Sequence, residues 1–198
     1  MGRALALLLL LGFSRAWAQT ASCDATDLLF DFSASGPLQT LTVGGQSYYV
    51  ANLASYLLLL GGASSMRFLP TQVVGGSGER VACTLTTPKG GGGGGVLCGA
   101  GNTRCFRVTG MTGSLPVPGD WQGRLYVLVQ VVSGNATSHV PTPTLLSAVP
   151  DNMGLASVAR NTTAILWVYY FLELSPTDAF PSLPAQGVLT LTYSLQKN

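Results

Sequence analysis

Charged residues are scarce in this chain of 198 residues, in which ten Lys and Arg and eight Asp and Glu make up only 9%. Such a composition provides no basic surface for nucleic acid and no polybasic strip for anionic lipid. It also permits self-association, because copies of a nearly neutral chain repel one another weakly. With 47% apolar residues, the surface is expected to be kept soluble by glycans or covered by a partner.

Histidine is nearly absent, since His139 is the only one in the sequence. A Ser-His-Asp or Cys-His catalytic group would have to use it, yet it lies among Ser, Thr, Gly and Pro residues typical of an exposed loop. The sequence contains no Gly-x-Ser-x-Gly elbow that would present a nucleophile. One histidine and no paired Cys-x-x-Cys spacing also disfavour a zinc site. We therefore predict a protein that is not an enzyme and uses no metal or cofactor.

Acidic residues cluster only at Asp24, Asp27 and Asp31. Hydrolysis by a carboxylate pair needs two acids held at a set distance in a cleft, which sequence spacing alone does not establish. The alternative to a non-catalytic domain is an extracellular carbohydrate-binding or hydrolytic domain. That alternative requires a concave pocket that holds Asp24, Asp27 or Asp120 together with Trp121, because sugar binding commonly uses an aromatic platform beside carboxylates.

Long apolar runs are also missing. The most apolar stretch beyond the N-terminus is 164–174, whereas a membrane-spanning helix needs about twenty such residues. Arg160 and Asn161 precede this stretch, and Glu173 lies near its end. The pattern predicts a buried or partner-covered strand that does not cross a bilayer.

The N-terminus has the pattern of a cleaved secretory signal over residues 1–18. Arg3 precedes the apolar run 4–13, and Ala16-Trp17-Ala18 forms the small-x-small motif that signal peptidase accepts. We predict a mature chain that begins near Gln19 and is secreted or displayed on the extracellular face of the plasma membrane. Two arginines would leave with the signal, so the mature chain would carry eight basic and eight acidic residues.

All four cysteines, Cys23, Cys83, Cys98 and Cys105, lie in the predicted mature chain. An even number in an exported protein favours two disulfides, for which three pairings exist. Cys98 and Cys105 are close enough in sequence to close a small loop. The favoured pairing is therefore Cys98 with Cys105 and Cys23 with Cys83.

If the chain is exported, two Asn-x-Thr sequons are candidate sites of N-linked glycosylation. Asn135-Ala136-Thr137 follows the predicted strand 123–132, and Asn161-Thr162-Thr163 precedes the apolar strand 164–174. Neither has proline at the middle position, and both lie at strand ends, where loops are exposed. We predict N-linked glycosylation at Asn135 and Asn161.

Short runs rich in Leu, Val, Tyr and Thr recur along the chain, separated by Gly, Pro, Asn or Ser. Their length and partial period-2 alternation predict strands rather than helices. The predicted strands are 27–32, 38–43, 47–50, 56–60, 66–69, 79–86, 105–109, 123–132, 164–174 and 187–195.

One segment leaves an alternative open, because 50–60 is also the best helix candidate. The glycine pairs at 44–45 and 61–62 that flank it suit hairpin turns equally well. Six consecutive glycines at 90–95 predict a flexible loop over 88–96. We predict a single domain, 19–198, folded as an all-β antiparallel sandwich, immunoglobulin-like or a related Greek key, and stapled by disulfides.

Three blocks stand out in the middle of the chain. They are Val96-Leu97 leading to Gly101-Asn102-Thr103-Arg104-Cys105, then Leu115-Pro116-Val117-Pro118-Gly119, then Arg124-Leu125-Tyr126-Val127-Leu128-Val129. In order and spacing these blocks resemble the membrane-proximal half of the uroplakin III ectodomain, and the resemblance lies mainly within 96–150. Further on, Ala148-Val149-Pro150-Asp151-Asn152-Met153 occupies the place where uroplakins III and II run toward their membrane span.

The resemblance implies an epithelial surface protein that pairs with a tetraspanin in urothelial membrane plaques and strengthens the permeability barrier. Uroplakins of this type carry a long apolar span, which is not evident in this sequence, so a secreted or truncated relative is expected. The composition and the resemblance together predict a non-catalytic protein-interaction or structural module. Its partner would be another extracellular or membrane protein.

Overall fold

A computed structural model of the chain describes residues 19–89, 98, 103–115, 117, 120–178 and 185–197. The predicted signal peptide, 1–18, lies outside these residues, as does the glycine run 90–95 of the predicted loop 88–96. Within the described residues the chain forms fourteen strands, two short helices and two 3₁₀ turns.

The helices are α1 (Leu53–Leu60) and α2 (Pro150–Met153), and the 3₁₀ turns are Trp121–Arg124 and Leu146–Ala148. The strands are β1 (Thr20–Cys23), β2 (Asp27–Asp31), β3 (Thr40–Val43), β4 (Gln46–Val50), β5 (Met66–Leu69), β6 (Gln72–Val74), β7 (Val81–Thr86), β8 (Thr103–Ser114), β9 (Leu125–Ser133), β10 (Ala136–Ser138), β11 (Thr144–Leu145), β12 (Gly154–Ala159), β13 (Thr163–Leu174) and β14 (Gln186–Lys197).

The strands form two sheets that pack face to face around one main core. Sheet A contains β1, β3, β4, β5, β7, β9, β11 and β13, and sheet B runs in the order β10-β12-β8-β14-β2-β6. The predicted all-β sandwich with two disulfides is confirmed. One pair departs from the antiparallel pattern, since β4 and β5 run parallel.

The predicted apolar strand 164–174 is confirmed as β13, which lies inside sheet A. It pairs with β9 along one edge and with β7 and β5 along the other. Its even-numbered side chains are buried between the sheets, while Tyr169 and Phe171 pack beneath the β3–β4 hairpin. Tyr48 of that hairpin packs against Phe171 with the rings tilted by 46° and their centroids 4.5 Å apart. Because the inner face of β13 is buried along its length and the outer face is covered at Tyr169 and Phe171, most residues in it can be apolar.

The prediction of a strand over 56–60 is wrong, because this segment belongs to helix α1. Helix α1 connects the parallel strands β4 and β5, and a parallel pair requires a crossover connection rather than a hairpin. The Tyr56 ring lies 5.9 Å from that of Phe32, and Leu59 is fully buried in the main core. The two glycine pairs therefore differ in role. Gly44 and Gly45 turn the β3–β4 hairpin with positive φ, whereas 61–62 ends the helix.

The remaining predicted strands all overlap strands of the structure, with ends that differ by a few residues. Five strands were not predicted: β1, β6, β10, β11 and β12. The longest of these, β12, has the sequence Gly-Leu-Ala-Ser-Val-Ala, and small residues of this kind have low strand propensity. It forms a strand because its side chains are buried, which local sequence does not reveal.

Both disulfides join the predicted partners. Cys23 and Cys83 are directly opposite each other on β1 and β7, with Cα atoms 4.0 Å apart. This bond therefore lies within sheet A, unlike the inter-sheet disulfide typical of antibody domains. Cys98 and Cys105 are seven residues apart in sequence, with Cα atoms 5.3 Å apart.

The Cys98–Cys105 disulfide packs against Gly154, the first residue of β12. A Cβ atom added there would lie 2.5 Å from the Cys98 sulfur and 3.2 Å from the Cys105 sulfur, so a side chain would clash. The Cys98 N–H donates a hydrogen bond of 2.9 Å to the Asp151 carboxylate. Asp151 and Asn152 both have positive φ, so the turn before β12 is left-handed. Cys98 is thereby fastened to the entrance of β12.

Asp178 holds the segment that follows β13. Its buried carboxylate forms an ion pair with Arg124 and accepts hydrogen bonds from the N–H and the hydroxyl of Ser175, at 2.7 and 2.8 Å. The hydrogen bond from Arg124, together with those from Ser175, lowers the pKa of Asp178 to about 2. The ionised carboxylate thus ties the 3₁₀ turn before β9 to the end of β13.

Two buried phenols meet in the main core, Tyr170 from β13 and Tyr193 from β14. The two hydroxyls are neighbours, and neither forms a hydrogen bond with any other group among the described residues. Burial raises the pKa of Tyr170 well above its usual value, and the neighbouring Tyr193 phenol adds to the increase. Burial also raises the pKa of Tyr193. Because these phenols titrate near pH 10 in the unfolded chain, the folded state loses stability as the pH rises above about 10.

We predict unequal contributions of the two disulfides to stability. Replacing both Cys23 and Cys83 by Ala should lower the free energy of unfolding by about 4 kcal/mol, and replacing both Cys98 and Cys105 by about 2 kcal/mol. The reason is that the closed loops span 60 and 7 residues, and the longer loop restricts the unfolded chain more. Urea unfolding of the two double variants beside the wild type measures this, and equal losses would contradict it.

A second prediction concerns alkaline pH. Tyr170→Phe should be about as stable as the wild type at neutral pH, because the buried hydroxyl that it removes has only the Tyr193 hydroxyl beside it. It should also lose less stability between about pH 9 and pH 11, since one buried phenol no longer resists ionisation. Urea unfolding across this range is the measurement, with Tyr49→Phe, a half-buried tyrosine of β4, as the matched control. A wild-type pH slope in Tyr170→Phe would show the interpretation to be wrong.

Candidate functional site

Both predicted glycosylation sites lie in exposed turns at one end of the sandwich. Asn135 follows β9, and Asn161 lies in the turn between β12 and β13. The φ of Asn161 is 55°, a left-handed conformation that asparagine tolerates better than most residues. The Asn135 carbonyl accepts a hydrogen bond of 2.9 Å from the Ala159 N–H, so the two turns are neighbours. Glycosylation of these residues stays a prediction.

The residues of the alternative sugar site mainly support the local backbone. The Asp24 carboxylate accepts a hydrogen bond of 2.8 Å from a backbone N–H at the start of β7, and Asp120 accepts one of 2.9 Å in capping the 3₁₀ turn before β9. The Asp27 carboxylate accepts a longer hydrogen bond of 3.4 Å from the neighbouring threonine hydroxyl. Trp121 packs against the main core and is partly buried there. These contacts do not favour a carbohydrate-binding site.

His139 is exposed between β10 and β11, and its backbone N–H donates to the Leu155 carbonyl at 2.9 Å. Within 19–89, 103–115, 120–178 and 185–197, no three His, Cys, Asp or Glu side chains come together in a way that could hold a metal ion. The residues that the sequence analysis considered for catalysis or metal binding therefore do not lie together at one site in the described parts of the chain.

An ion pair that sequence analysis missed lies on the outer face of sheet A. The Arg67 Nε donates to the Glu173 carboxylate at 2.7 Å, and the guanidinium stacks 3.9 Å from the centroid of the Tyr126 ring. The Tyr126 hydroxyl donates to the other oxygen of Glu173 at 3.3 Å. Arg67 also lines a cavity of about 280 Å³ with Tyr48 and Pro141. Because the two charges compensate each other, this cluster stabilises the sheet and offers no unpaired reactive group.

Helix α1 turns its polar side chains inward and three of its five leucines outward. Its sequence is Leu-Ala-Ser-Tyr-Leu-Leu-Leu-Leu, and its buried residues are Ser55, Tyr56 and Leu59. The side chains that we call the leucine face are exposed: Leu57 to 58%, Leu58 to 42% and Leu60 to 41%. A helix that is apolar on every side is normally covered on every side. Among the described residues, the leucine face is therefore an apolar surface that a partner would be expected to cover.

Buried hydrogen bonds hold α1 in this orientation. The Asn52 Oδ1 accepts from the Ser55 N–H at 2.8 Å, and the Ser55 Oγ accepts from the Asn52 N–H at 3.1 Å, which is a reciprocal capping box. The Ser55 hydroxyl also donates to the Val50 carbonyl at 2.8 Å, and the Asn52 Nδ2 donates to the Pro37 carbonyl at 2.9 Å. Rotating the helix to hide its leucines would break these buried hydrogen bonds.

The leucine face lies in a charge-free part of the chain. The stretch 32–66, which contains β3, β4 and α1, has no Asp, Glu, Lys, Arg or His. Burying the exposed remainder of the three leucines would contribute roughly 2 to 4 kcal/mol. The feature that could have revealed this surface in the sequence is the run of four leucines, 57–60, inside that uncharged stretch.

The sequons and α1 lie toward opposite ends of β13. This strand begins beside the Asn161 turn and ends at Leu174, opposite Met66 of β5. Twelve residues of strand span roughly 35 to 40 Å. Helix α1 packs near the far end through Tyr56 and Phe32, and the Phe32 ring lies 5.3 Å from that of Phe68 in β5. Glycans on the sequons would therefore leave the leucine face uncovered.

Comparison with known proteins finds no matching family model, no matching curated protein and no matching solved structure. In the part of the chain that the structure describes, no helix has both the length and the apolar character that crossing a membrane requires. Fold alone does not define function, so the proposal for this chain is based on its surface chemistry.

We expect an N-glycan on Asn135, on Asn161 or on both when the chain is secreted from mammalian cells, because both asparagines are exposed within Asn-x-Thr sequons. Treatment with peptide-N-glycosidase should shift the protein to lower mass on a gel. Asn135→Gln and Asn161→Gln should each remove the glycan at that site. Asn102→Gln is the control, since Asn102-Thr103-Arg104 lacks the required hydroxyl residue. A secreted chain without any glycan would contradict the prediction.

Proposed function

We propose that this protein is a secreted or cell-surface glycoprotein that acts as a non-catalytic protein-interaction or structural module. The leucine face of α1 is the observation that carries the proposal. Three leucines are 41 to 58% exposed on a helix whose orientation is held by buried hydrogen bonds. A rigid, exposed apolar surface of this kind is typical of a site that another protein covers.

Two further features support an extracellular setting. The Cys23–Cys83 and Cys98–Cys105 disulfides form and persist in oxidising compartments. The resemblance of 96–150 to the uroplakin III ectodomain implies an epithelial surface, where the partner would be a tetraspanin within a membrane plaque. The uncharged stretch 32–66, which contains α1, favours a partner surface that is itself apolar.

Binding to epithelial cells tests the proposal. The tagged, secreted chain should bind saturably to the cell surface, and treating the cells with protease beforehand should abolish binding, because the partner is a protein. The double variant Leu57→Glu with Leu58→Glu should lose most of the binding, since it places charge on the leucine face. Flow cytometry with labelled chain measures both effects.

A matched control is available at Val132, which is 45% exposed in β9 near the sequon end. Val132→Glu should bind as the wild type does, and circular dichroism should show that all variants are folded. Equal binding by the wild type and the Leu57→Glu, Leu58→Glu variant would contradict the proposal. Loss of binding after glycosidase treatment of the cells would favour the carbohydrate-binding alternative instead.

A further inference from the structure

We propose that the edge of β14 binds an extended segment of a partner protein, which adds a strand to sheet B. The free edge is the second half of β14, 191–197, where β2 no longer pairs with it. A strand edge with unpaired backbone N–H and C=O groups is a template for another strand. This edge contains no residue of α1, so it is a second binding surface, separate from the leucine face.

The backbone of every second residue in this half of β14 points away from β8. On the β2 side, the last backbone hydrogen bond among the described residues is donated by the Leu191 N–H to the Thr26 carbonyl, at 2.8 Å. The Thr192 carbonyl, by contrast, accepts a hydrogen bond from the Thr109 hydroxyl of β8. Because the N–H and C=O groups of a strand alternate between its two edges, those of Tyr193 point to the free edge. Within the described residues no backbone group pairs with them there.

One side chain already occupies a position on this edge. The Gln19 Nε2 donates to the Leu195 carbonyl at 2.8 Å, so an amide N–H lies where the backbone N–H of a neighbouring strand would lie. Gln19 is exposed and precedes β1, so moving its side chain away breaks no strand pairing. The Leu195 N–H has no backbone partner on this edge in the parts of the chain that the structure describes. The edge therefore binds an amide donor and has room for more of the same kind.

A cavity of about 550 Å³ lies between this edge and β1. Ala21 and Cys23 line it from β1, and Thr192 and Tyr193 line it from β14. The cavity stays open because β1 pairs with β7 of sheet A, whereas β14 belongs to sheet B. Ala21, Cys23 and Tyr193 are half-buried and pack against the main core, so the floor of the cavity is largely apolar. A bound strand would cover this margin of the core.

The occupant that fits is an extended peptide in which apolar and polar residues alternate. Its backbone would pair with Tyr193 and Leu195 while its apolar side chains face the cavity floor. Its polar side chains would lie beside the exposed hydroxyls of Ser22 and Thr192 at the rim. Such alternation also occurs in β7 and β14 of this chain, but both are already paired within the sheets. The peptide would therefore come from another protein.

The probe for this edge is a blocked peptide in which Val and Thr alternate, added to the isotope-labelled, secreted chain. Amide hydrogen exchange followed by nuclear magnetic resonance is the measurement. Without peptide, the N–H groups of Tyr193 and Leu195 should exchange fast, and that of Ser194, which faces β8, should exchange slowly. Saturating peptide should slow exchange at Tyr193 and Leu195 at least about tenfold. We expect a dissociation constant of about 10 µM to 1 mM, because the contact is small.

Two matched controls separate strand pairing from unspecific binding. A peptide that is N-methylated at every Val should not bind, because residues whose side chains lie beside Tyr193 also direct their N–H groups to β14. Ala21→Trp should weaken binding at least about tenfold by filling the cavity. Thr84→Trp, at an exposed residue of β7 that does not line the cavity, should bind as the wild type does. Circular dichroism and the urea midpoint show whether both variants are folded.

Failure of the peptide to bind at about 1 mM would overturn the inference. So would unchanged exchange at Tyr193 and Leu195, or equal binding by the N-methylated peptide. The proposed function is tested separately, because Leu57→Glu with Leu58→Glu leaves the edge of β14 unchanged. If the peptide does not bind but binding to epithelial cells still needs Leu57 and Leu58, this inference is wrong while the proposed function stands. If the peptide binds as expected but the double variant binds cells as the wild type does, the reverse holds.

Discussion

The position of β13 is the constraint on which the rest of the structure depends. Its backbone pairs with β9 on one edge and with β7 and β5 on the other, so an almost wholly apolar strand has hydrogen-bonding neighbours on both sides. The side chains on one face of β13 pack against sheet B, and Tyr169 and Phe171 on the other face pack against the β3–β4 hairpin. Because β5 pairs with the end of β13, and β4 with β5, the same strand also places α1.

Local preference and tertiary structure disagree at α1. A helix in a water-soluble monomer normally hides its leucines and exposes its polar residues, whereas α1 buries Ser55 and Tyr56 and exposes Leu57. The buried polar contacts explain how the orientation is kept, since Ser55 bridges the cap to the Val50 carbonyl. They do not explain why leucines lie outside. Such a disagreement is typical of a surface selected for binding.

The molecule thus has two ends of different surface chemistry. One end carries the exposed asparagines Asn135 and Asn161, and the other carries an uncharged apolar helix. If Asn135 and Asn161 are glycosylated as predicted, the glycans would keep one end hydrated and leave the other end free for contacts. The Cys23–Cys83 disulfide joins β1 to β7 within sheet A, and the Asp178 ion pair ties the 3₁₀ turn before β9 to the end of β13. Rigidity of this kind lowers the entropy lost when a weak contact forms.

The sequence by itself determined most strands and both disulfides. The apolar run of β13 and the alternation of β14 are local patterns, and the short spacing of Cys98 and Cys105 leaves Cys23 and Cys83 as partners. The tertiary structure alone decided three things: that 56–60 is a helix, that β4 and β5 are parallel, and that leucines of α1 face solvent. A run of consecutive leucines lacks the alternation of apolar and polar residues by which a strand is distinguished from a helix in the sequence. Its conformation was decided by buried contacts with residues distant in sequence, such as that between Tyr56 and Phe32.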